Sequence, residues 1–351
     1  MCCRLWGRIG IHMRVSEKKR KNTIVLVTLS ALLAVCFVLS VMIGRYEISM
    51  KELWLVLISR VVPVEQSWSQ LTDNIVMQVR IPRIIVAVLV GAALSVSGTA
   101  YQCIFRNPMA APDVLGASTG AGFGAALAIL LGRGSVEVTL WAFLASIVCV
   151  LLAVFSARVS RGNRVLSLVL AGIMIGSLFQ AATSYLKLIA DPHNTLPEIT
   201  YWLMGSLSGV RPEELGYVWI PMLAGFVPIY ILRWKMNLLT MEDAEAKTMG
   251  VNTKRVRVTV ILCSTLLTAS AVSVSGIIGW VGLVIPHIGR RLVGSDCRAL
   301  VPASALLGGS FLLLVDDLAR NLYTTELPLG VLTAVIGAPF FIYLLGRKGE
   351  W

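Results

Sequence analysis

Nine stretches of this chain hold no Asp, Glu, Lys or Arg: residues 22–44, 84–105, 114–132, 138–157, 165–186, 215–232, 258–289, 299–315 and 327–346. A charged side chain at a bilayer centre costs about 2.5–3.5 kcal/mol on insertion scales, so long charge-free runs mark helices that cross a membrane. Eight of the runs have the length of one helix. The run 258–289 is longer and contains the break Ser273-Val-Ser-Gly-Ile-Ile-Gly279, so it reads as one tilted helix with a loop or as two shorter helices. Composition agrees with membrane residence: 56% of the 351 residues are hydrophobic and 14% charged, against about a quarter charged in soluble domains.

The basic residues decide the count. With ten spans and a cytoplasmic N-terminus, 22 of the 31 Lys and Arg lie inside and 9 outside; leaving 258–289 as one span changes the split to 18 against 13. Positive residues collect on the cytoplasmic side, so the sequence predicts an all-α integral membrane protein of ten helices with both termini inside. The net charge of +12 is then a topology signal, not a nucleic-acid one. Residues 1–22 form a cytoplasmic basic tail, 23–347 the membrane domain and 348–351 a short cytoplasmic tail. Arg14 and Lys18–Lys21 resemble a signal-peptide n-region, but the following apolar run exceeds an h-region and no small-residue cleavage site follows. The opening Met-Cys-Cys-Arg reads as disordered, and Met13 is an alternative start.

Several chemistries are excluded. No G-x-x-x-x-G-K-[ST] occurs, so these residues carry no P-loop. Gly120, Gly122 and Gly124 do not form G-x-G-x-x-G. Seven cysteines without a C-x-x-C pair, and three histidines, give neither a disulfide framework nor a zinc site. Asp316 and Asp317 lack the second acidic cluster that a membrane prenyl-transfer enzyme needs, and read as interfacial. Gly116, Gly120 and Gly124 share a helix face, as do Gly172 and Gly176, which suits close helix packing. Within the inner loop 233–257, Thr240 is placed to cap a short helix, with Glu242 and Asp243 in its first turn, Lys247 near its end and Gly250 at its C-cap.

Arg80-Ile-Pro-Arg83, Arg106-Asn107-Pro108, that loop, Gly279-Trp-Val-Gly-Leu-Val-Ile-Pro286-His287 and Glu326-Leu-Pro328-Leu-Gly-Val-Leu-Thr-Ala-Val-Ile-Gly-Ala-Pro339 occur in order. Together they resemble the iron–siderophore, haem and vitamin B12 permeases of type II ABC importers, over about residues 30–347. The resemblance implies a homodimer with the path along its interface. It implies two separate ATPase subunits, which bind the ATP and Mg, and an extracytoplasmic binding protein that delivers the cargo. This chain would then need no cofactor or metal and perform no covalent chemistry.

Residue by residue, the resemblance implies that Arg80, Arg83 and Arg320 meet acidic knobs of the binding protein, a pairing suited to arginine's bidentate fork. The loop helix at 241–250, with Glu242, Asp243, Glu245, Lys247 and Gly250, would seat in the ATPase. It departs from the family pattern at Glu242, Ala244 and Glu245; Trp280, Ala111 and Cys297 are milder departures. His287 reads as structural or coupling rather than metal-binding, and Arg106, Asn107, Pro108, Pro286, Pro328 and Pro339 as structural. Gln180, Thr183 and Ser184 are the polar residues of the fifth span and border the path or bond between helices. The expected function is import of a ferric siderophore across the bacterial plasma membrane, with haem or cobalamin as alternative cargo. An ion-coupled secondary transporter is the rival class; it is disfavoured because no window carries a buried ionisable group.

Overall fold

The computed structural model describes residues 2–46, 48–60, 62, 63, 67–159, 164–240 and 243–346. Helices and their connections account for all of the regular structure among them. In chain order the helices are α1 (Cys2–Met42), α2 (Met50–Ile58), α3 (Gln70–Asn74), α4 (Ile81–Phe105), α5 (Ala117–Leu130), α6 (Ser135–Val159), α7 (Arg164–Ile189) and α8 (Thr195–Leu203). They continue with α9 (Pro212–Leu239), α10 (Asp243–Thr248), α11 (Thr253–Ser275), α12 (Val281–Val293), α13 (Cys297–Asn321) and α14 (Leu329–Gly346).

Seven of these are long and apolar enough to span a bilayer, counting Gln70–Phe105 as one continuous helix. The shorter apolar α5 and α14, and the amphipathic α12, bring the set to the ten expected helices. The run 258–289 does split: α11 stops at Ser275 and α12 begins at Val281. Gly276 and Trp280, both at positive φ, turn the chain between them. The opening residues, expected to be disordered, instead continue α1 back to Cys2. Two expected loops also hold helices, α2 and α8, which their charged or Pro-containing sequences had masked.

Burial sorts the helices into an interior and a rim. The apolar window of α4 is 78% buried within this one chain, and those of α11 and α13 are nearly as covered; α1, α7 and α9 are each only 22% buried. Small residues let the interior backbones touch. A Cβ on Gly98 of α4 would fall 1.8 Å from the Gly282 carbonyl oxygen of α12, and one on Gly91 would fall 2.2 Å from that of Gly308 in α13. The glycine face of α5 packs on α6 and Gly172 of α7 sits on the Val114 carbonyl, as small faces predict. Buried hydroxyls stitch the same helices: Ser97 and Thr268 lie 2.7 Å apart, and Thr99 donates to Ser304 at 2.9 Å. Each such bond contributes about 0.6 kcal/mol in a membrane.

A six-residue π-helical stretch, Ile75–Arg80, precedes α4. Proline cannot donate an N–H and its ring crowds the carbonyl one turn back. With Pro82 in the first turn of α4, the wider turn gives room, and the Ile81 N–H reaches back to Val76. The expected outer loop 45–83 therefore ends in helix continuous with α4, and Arg80 and Arg83 lie within that helix rather than ahead of it.

Candidate functional site: charged clusters at the two ends of the bundle

We call the end carrying Arg80 and Arg83 outer, following the orientation favoured by Lys and Arg. There Arg80, Arg83 and Arg320 are 4%, 6% and 7% exposed. The resemblance implied that these arginines meet acidic groups of a binding protein; within this chain the three guanidinium groups are enclosed and already partnered. Arg80 donates to the carbonyls of Val41 (2.8 Å) and Tyr46, and more weakly to Met42. Because α1 ends at Met42, these include carbonyls that its own helix leaves unsatisfied, and a cation is favoured at the negative end of its dipole. Gly44 makes this approach feasible, since a Cβ there would lie 2.5 Å from the Arg80 guanidinium.

Arg83 pairs with two carboxylates. Its Nη2 lies 2.8 Å from fully buried Asp316 of α13 and 2.9 Å from Glu326, which precedes α14. Arg320 lies beside Asp317, with Nε 3.2 Å from Asp316, and it donates to Ser40 at 3.0 Å. Ser40 in turn donates to Asp317 at 2.7 Å. Arg83 and Arg320 thus meet three carboxylates, while Arg80 is held by carbonyl oxygens alone; counted together, the three cations and three anions leave the cluster close to neutral. Isolated buried charge would be costly, and the pairing is what permits it. Asp316 and Asp317, which read as interfacial from sequence, are the buried anions of this cluster. Arg45 was not singled out by its position just after the first span. It donates to the carbonyls of Arg320 (2.9 Å) and Tyr323 (2.8 Å), adding another tie between the ends of α1 and α13.

At the opposite, inner end Arg106 takes a left-handed conformation that stops α4, and its Nε donates to the Leu239 carbonyl at the end of α9 at 2.9 Å. The Asn107 side chain accepts from the Met109 N–H, forming the Asx turn that Asn-Pro favours. Asn237 joins α9 to α13: its amide donates to Asp296 at 2.7 Å and accepts from the Cys297 N–H at 2.8 Å. No sequence motif pointed to this residue. Asp296 caps α13. Burial works against its carboxylate, but the Arg298 N–H, the Asn237 amide and the charges of Arg298 and Lys18 hold it below the ordinary value.

The inner loop carries α10, which ends at Thr248 within the helix expected at 241–250, whose first residue Met241 is not among the described ones. Glu242 lies outside the described residues. Thr240, expected to cap this helix, instead closes α9 by donating to the Asn237 carbonyl. Gly250 is left-handed (φ 76°) after the helix, as a C-cap glycine should be. Asp243 opens α10 and Lys247 lies near its end, while Glu245 is exposed. Ala246 and Val251 are the buried contacts that seat the loop.

The remaining predicted residues are dispersed. Gln180 and Ser184 are exposed on α7 and Thr183 is buried; the two hydroxyls donate to backbone carbonyls one turn back. Pro286 and Pro339 lie inside α12 and α14, and Pro328 precedes α14. The His287 ring meets Phe340 edge-on at 6.4 Å.

A bundle of ten largely apolar helices, with glycine-packed interior spans, a buried charge cluster at one end and a short handle helix at the other, defines a multi-pass membrane permease. The chain belongs to the FecCD transport family, which matches residues 32–347. It is 39% identical over 331 residues to the molybdate import system permease protein MolB of Haemophilus influenzae, covering 93% of this chain and 97% of that one. It is 41% identical over 273 residues to a probable iron chelatin transport system permease protein of Helicobacter pylori strain 26695, covering 78% and 82%. A solved structure of an ABC transporter assigned to the metal-chelate type, in an inward-facing conformation, superposes with a TM-score of 0.82 at 37% identity, covering 91% of this chain and 98% of that one. This chain is a permease subunit of an ABC importer.

Proposed function

We propose that the chain carries a ferric chelate, of the siderophore kind, into the cytoplasm across the bacterial plasma membrane. Both termini face the cytoplasm, and two copies form a dimer with the path between them. The observation that carries the path is the outward face of α7. Ser177, Gln180 and Ser184 form a polar stripe there, exposed among Met174, Leu178 and Tyr185. Polar side chains are disfavoured against lipid and are found facing a bundle interior or a water-filled cavity. A second copy facing this stripe would give Gln180 and Ser184 such a setting.

In this reading a binding protein docks at the outer end, on the platform that Arg80, Arg83 and Arg320 hold together. Its acidic groups would compete with Asp316, Asp317 and Glu326 for Arg83 and Arg320, and with the carbonyls at the end of α1 for Arg80. Two ATPase subunits, holding ATP and Mg, would seat the inner loop, with Glu242, Asp243, Glu245, Lys247 and Gly250 at the contact. The chain supplies the path and performs no covalent chemistry.

The ferric cargo is supported by the likeness to the iron chelatin permease and to the metal-chelate transporter. A second reading, an oxyanion cargo, is favoured by the near full-length match to the molybdate permease. Cells lacking the chain and complemented with it distinguish the two when offered labelled ferric siderophore, ferric citrate, haem, cobalamin and molybdate. Uptake of a ferric siderophore supports the proposal, and uptake of molybdate alone replaces it.

A further inference from the structure

At the inner end the sulfur atoms of Cys103, in the last turn of α4, and Cys297, the first residue of α13, lie 3.1 Å apart although 194 residues separate them in sequence. Both thiols are free and buried. A disulfide needs about 2.05 Å between sulfurs, so about 1 Å of approach would join them. Cys103 also lines a cavity of about 260 Å3, whose wall includes Arg106, Asn107, Arg290 and Ser295. Arg106, Asn107 and Ser295 are exposed, so the cavity gives small solutes a route to one member of the pair while Cys297 stays covered. Arg290 donates to Gln102 beside Cys103 and places a fixed cation in that wall, where it stabilises the charge of an attacking thiolate. The other cysteines with described side chains, Cys36, Cys149 and Cys263, have no such sulfur partner among the described contacts.

We propose that Cys103 and Cys297 form a peroxide-driven, thiol-reversible disulfide that staples α4 to α13 at the cytoplasmic end. The Cys103 thiolate attacks hydrogen peroxide; the O–O bond breaks, hydroxide leaves and takes up the thiol's proton as water, and Cys103 becomes a sulfenic acid. Cys297 then loses its proton and attacks the Cys103 sulfur; the S–O bond breaks and a second water leaves. The two sulfurs supply the two electrons that reduce the peroxide, and a small dithiol restores both thiols. Because Arg83 and Asp316 already join the same helices at the outer end, the oxidised form would hold this pair at both ends.

The full chain in nanodiscs is treated with hydrogen peroxide, quenched, and alkylated after SDS denaturation; its peptides are then analysed by mass spectrometry without reduction. The Cys103 and Cys297 peptides should leave the alkylated pool together, appear as one linked species and return with dithiothreitol, while Cys149 stays alkylated. In the Cys297→Ser variant, dimedone should trap Cys103 as its sulfenic acid, whereas wild type gives little adduct. The proposal fails if both thiols stay alkylatable while Cys263 is oxidised. It also fails if Cys103 in wild type passes to the sulfinic acid with Cys297 still free.

Discussion

The two ends of this bundle use arginine differently. At the outer end Arg83 and Arg320 are buried with Asp316, Asp317 and Glu326, and tie α4 and α13 to the segment before α14. At the inner end Arg106 is exposed and donates to the Leu239 carbonyl of α9, and among the described residues Ala246 of α10 and Val251 after it are buried while Glu245 and Thr248 are exposed. Buried, mutually satisfied charges favour a single arrangement of the helices that carry them. A loop with few buried contacts opens at low free energy. The difference teaches that the outer end is cross-tied by buried charge between helices, whereas the inner loop presents Glu245, Thr248, Met249 and Gly250 at its surface.

Breaking the outer cluster should have the largest effect. Asp316→Asn leaves Arg83 and Arg320 without their shared carboxylate, and removing one partner of a buried pair costs about 3–5 kcal/mol. The expected result is a large fall in thermal stability in detergent. Replacing Arg83 and Asp316 together, Arg83→Met with Asp316→Leu, should recover part of that loss, because Arg320 keeps Asp317 and the Glu326 left without Arg83 is partly exposed; no recovery would mean that the two residues do more than balance each other's charge.

Next in size is Gly98→Ala, which drives a methyl group against a backbone oxygen of α12. Overpacking of this kind costs about 1–3 kcal/mol and should also be read in the melting temperature. Gly250→Ala makes a sharper contrast, because a Cβ there meets nothing within 4 Å. Its cost is the left-handed backbone, about 1–2 kcal/mol, confined to the inner loop. Stimulation of the partner ATPase should fall while the melting temperature of the permease changes little.

Loss of the α13 cap is the smallest effect. Asp296→Ala should cost about 1 kcal/mol near neutral pH. The Asp296 carboxylate is held below its ordinary value of 3.8, so its stabilisation is present above that pH and is lost as pH falls through the lower folded-state value. Wild type and variant should therefore differ equally in melting temperature at pH 7 and pH 5, and converge only below about pH 4.

The spans were legible because charge is so costly in a membrane that its absence marks helices. The break in 258–289 was legible for a related reason: splitting the run at Ser273–Gly279 raised the cytoplasmic share of the 31 basic residues from 18 to 22. Burial of Arg80, Arg83 and Arg320 was not legible. A charge at a window's edge looks like a charge outside the membrane until the fold brings its distant partners to it: Asp316 and Glu326 for Arg83, the end of α1 for Arg80, and Ser40 for Arg320 beside its neighbours Asp316 and Asp317. The role of Asn237 was equally hidden, since one asparagine near a helix end has no pattern of its own. Thr240 shows the opposite failure, in which a good N-cap residue is used one helix earlier to close α9. The sequence did locate the handle loop and its terminating glycine, both of which depend on local chemistry.

The most direct test of the central claim is uptake by proteoliposomes containing this chain, assayed with and without the candidate ATPase and with the binding protein supplied outside. The account predicts that labelled ferric chelate accumulates only when ATPase and ATP are both present, and that the chain alone moves nothing under an imposed proton or sodium gradient. Gradient-driven uptake by the chain alone would contradict it.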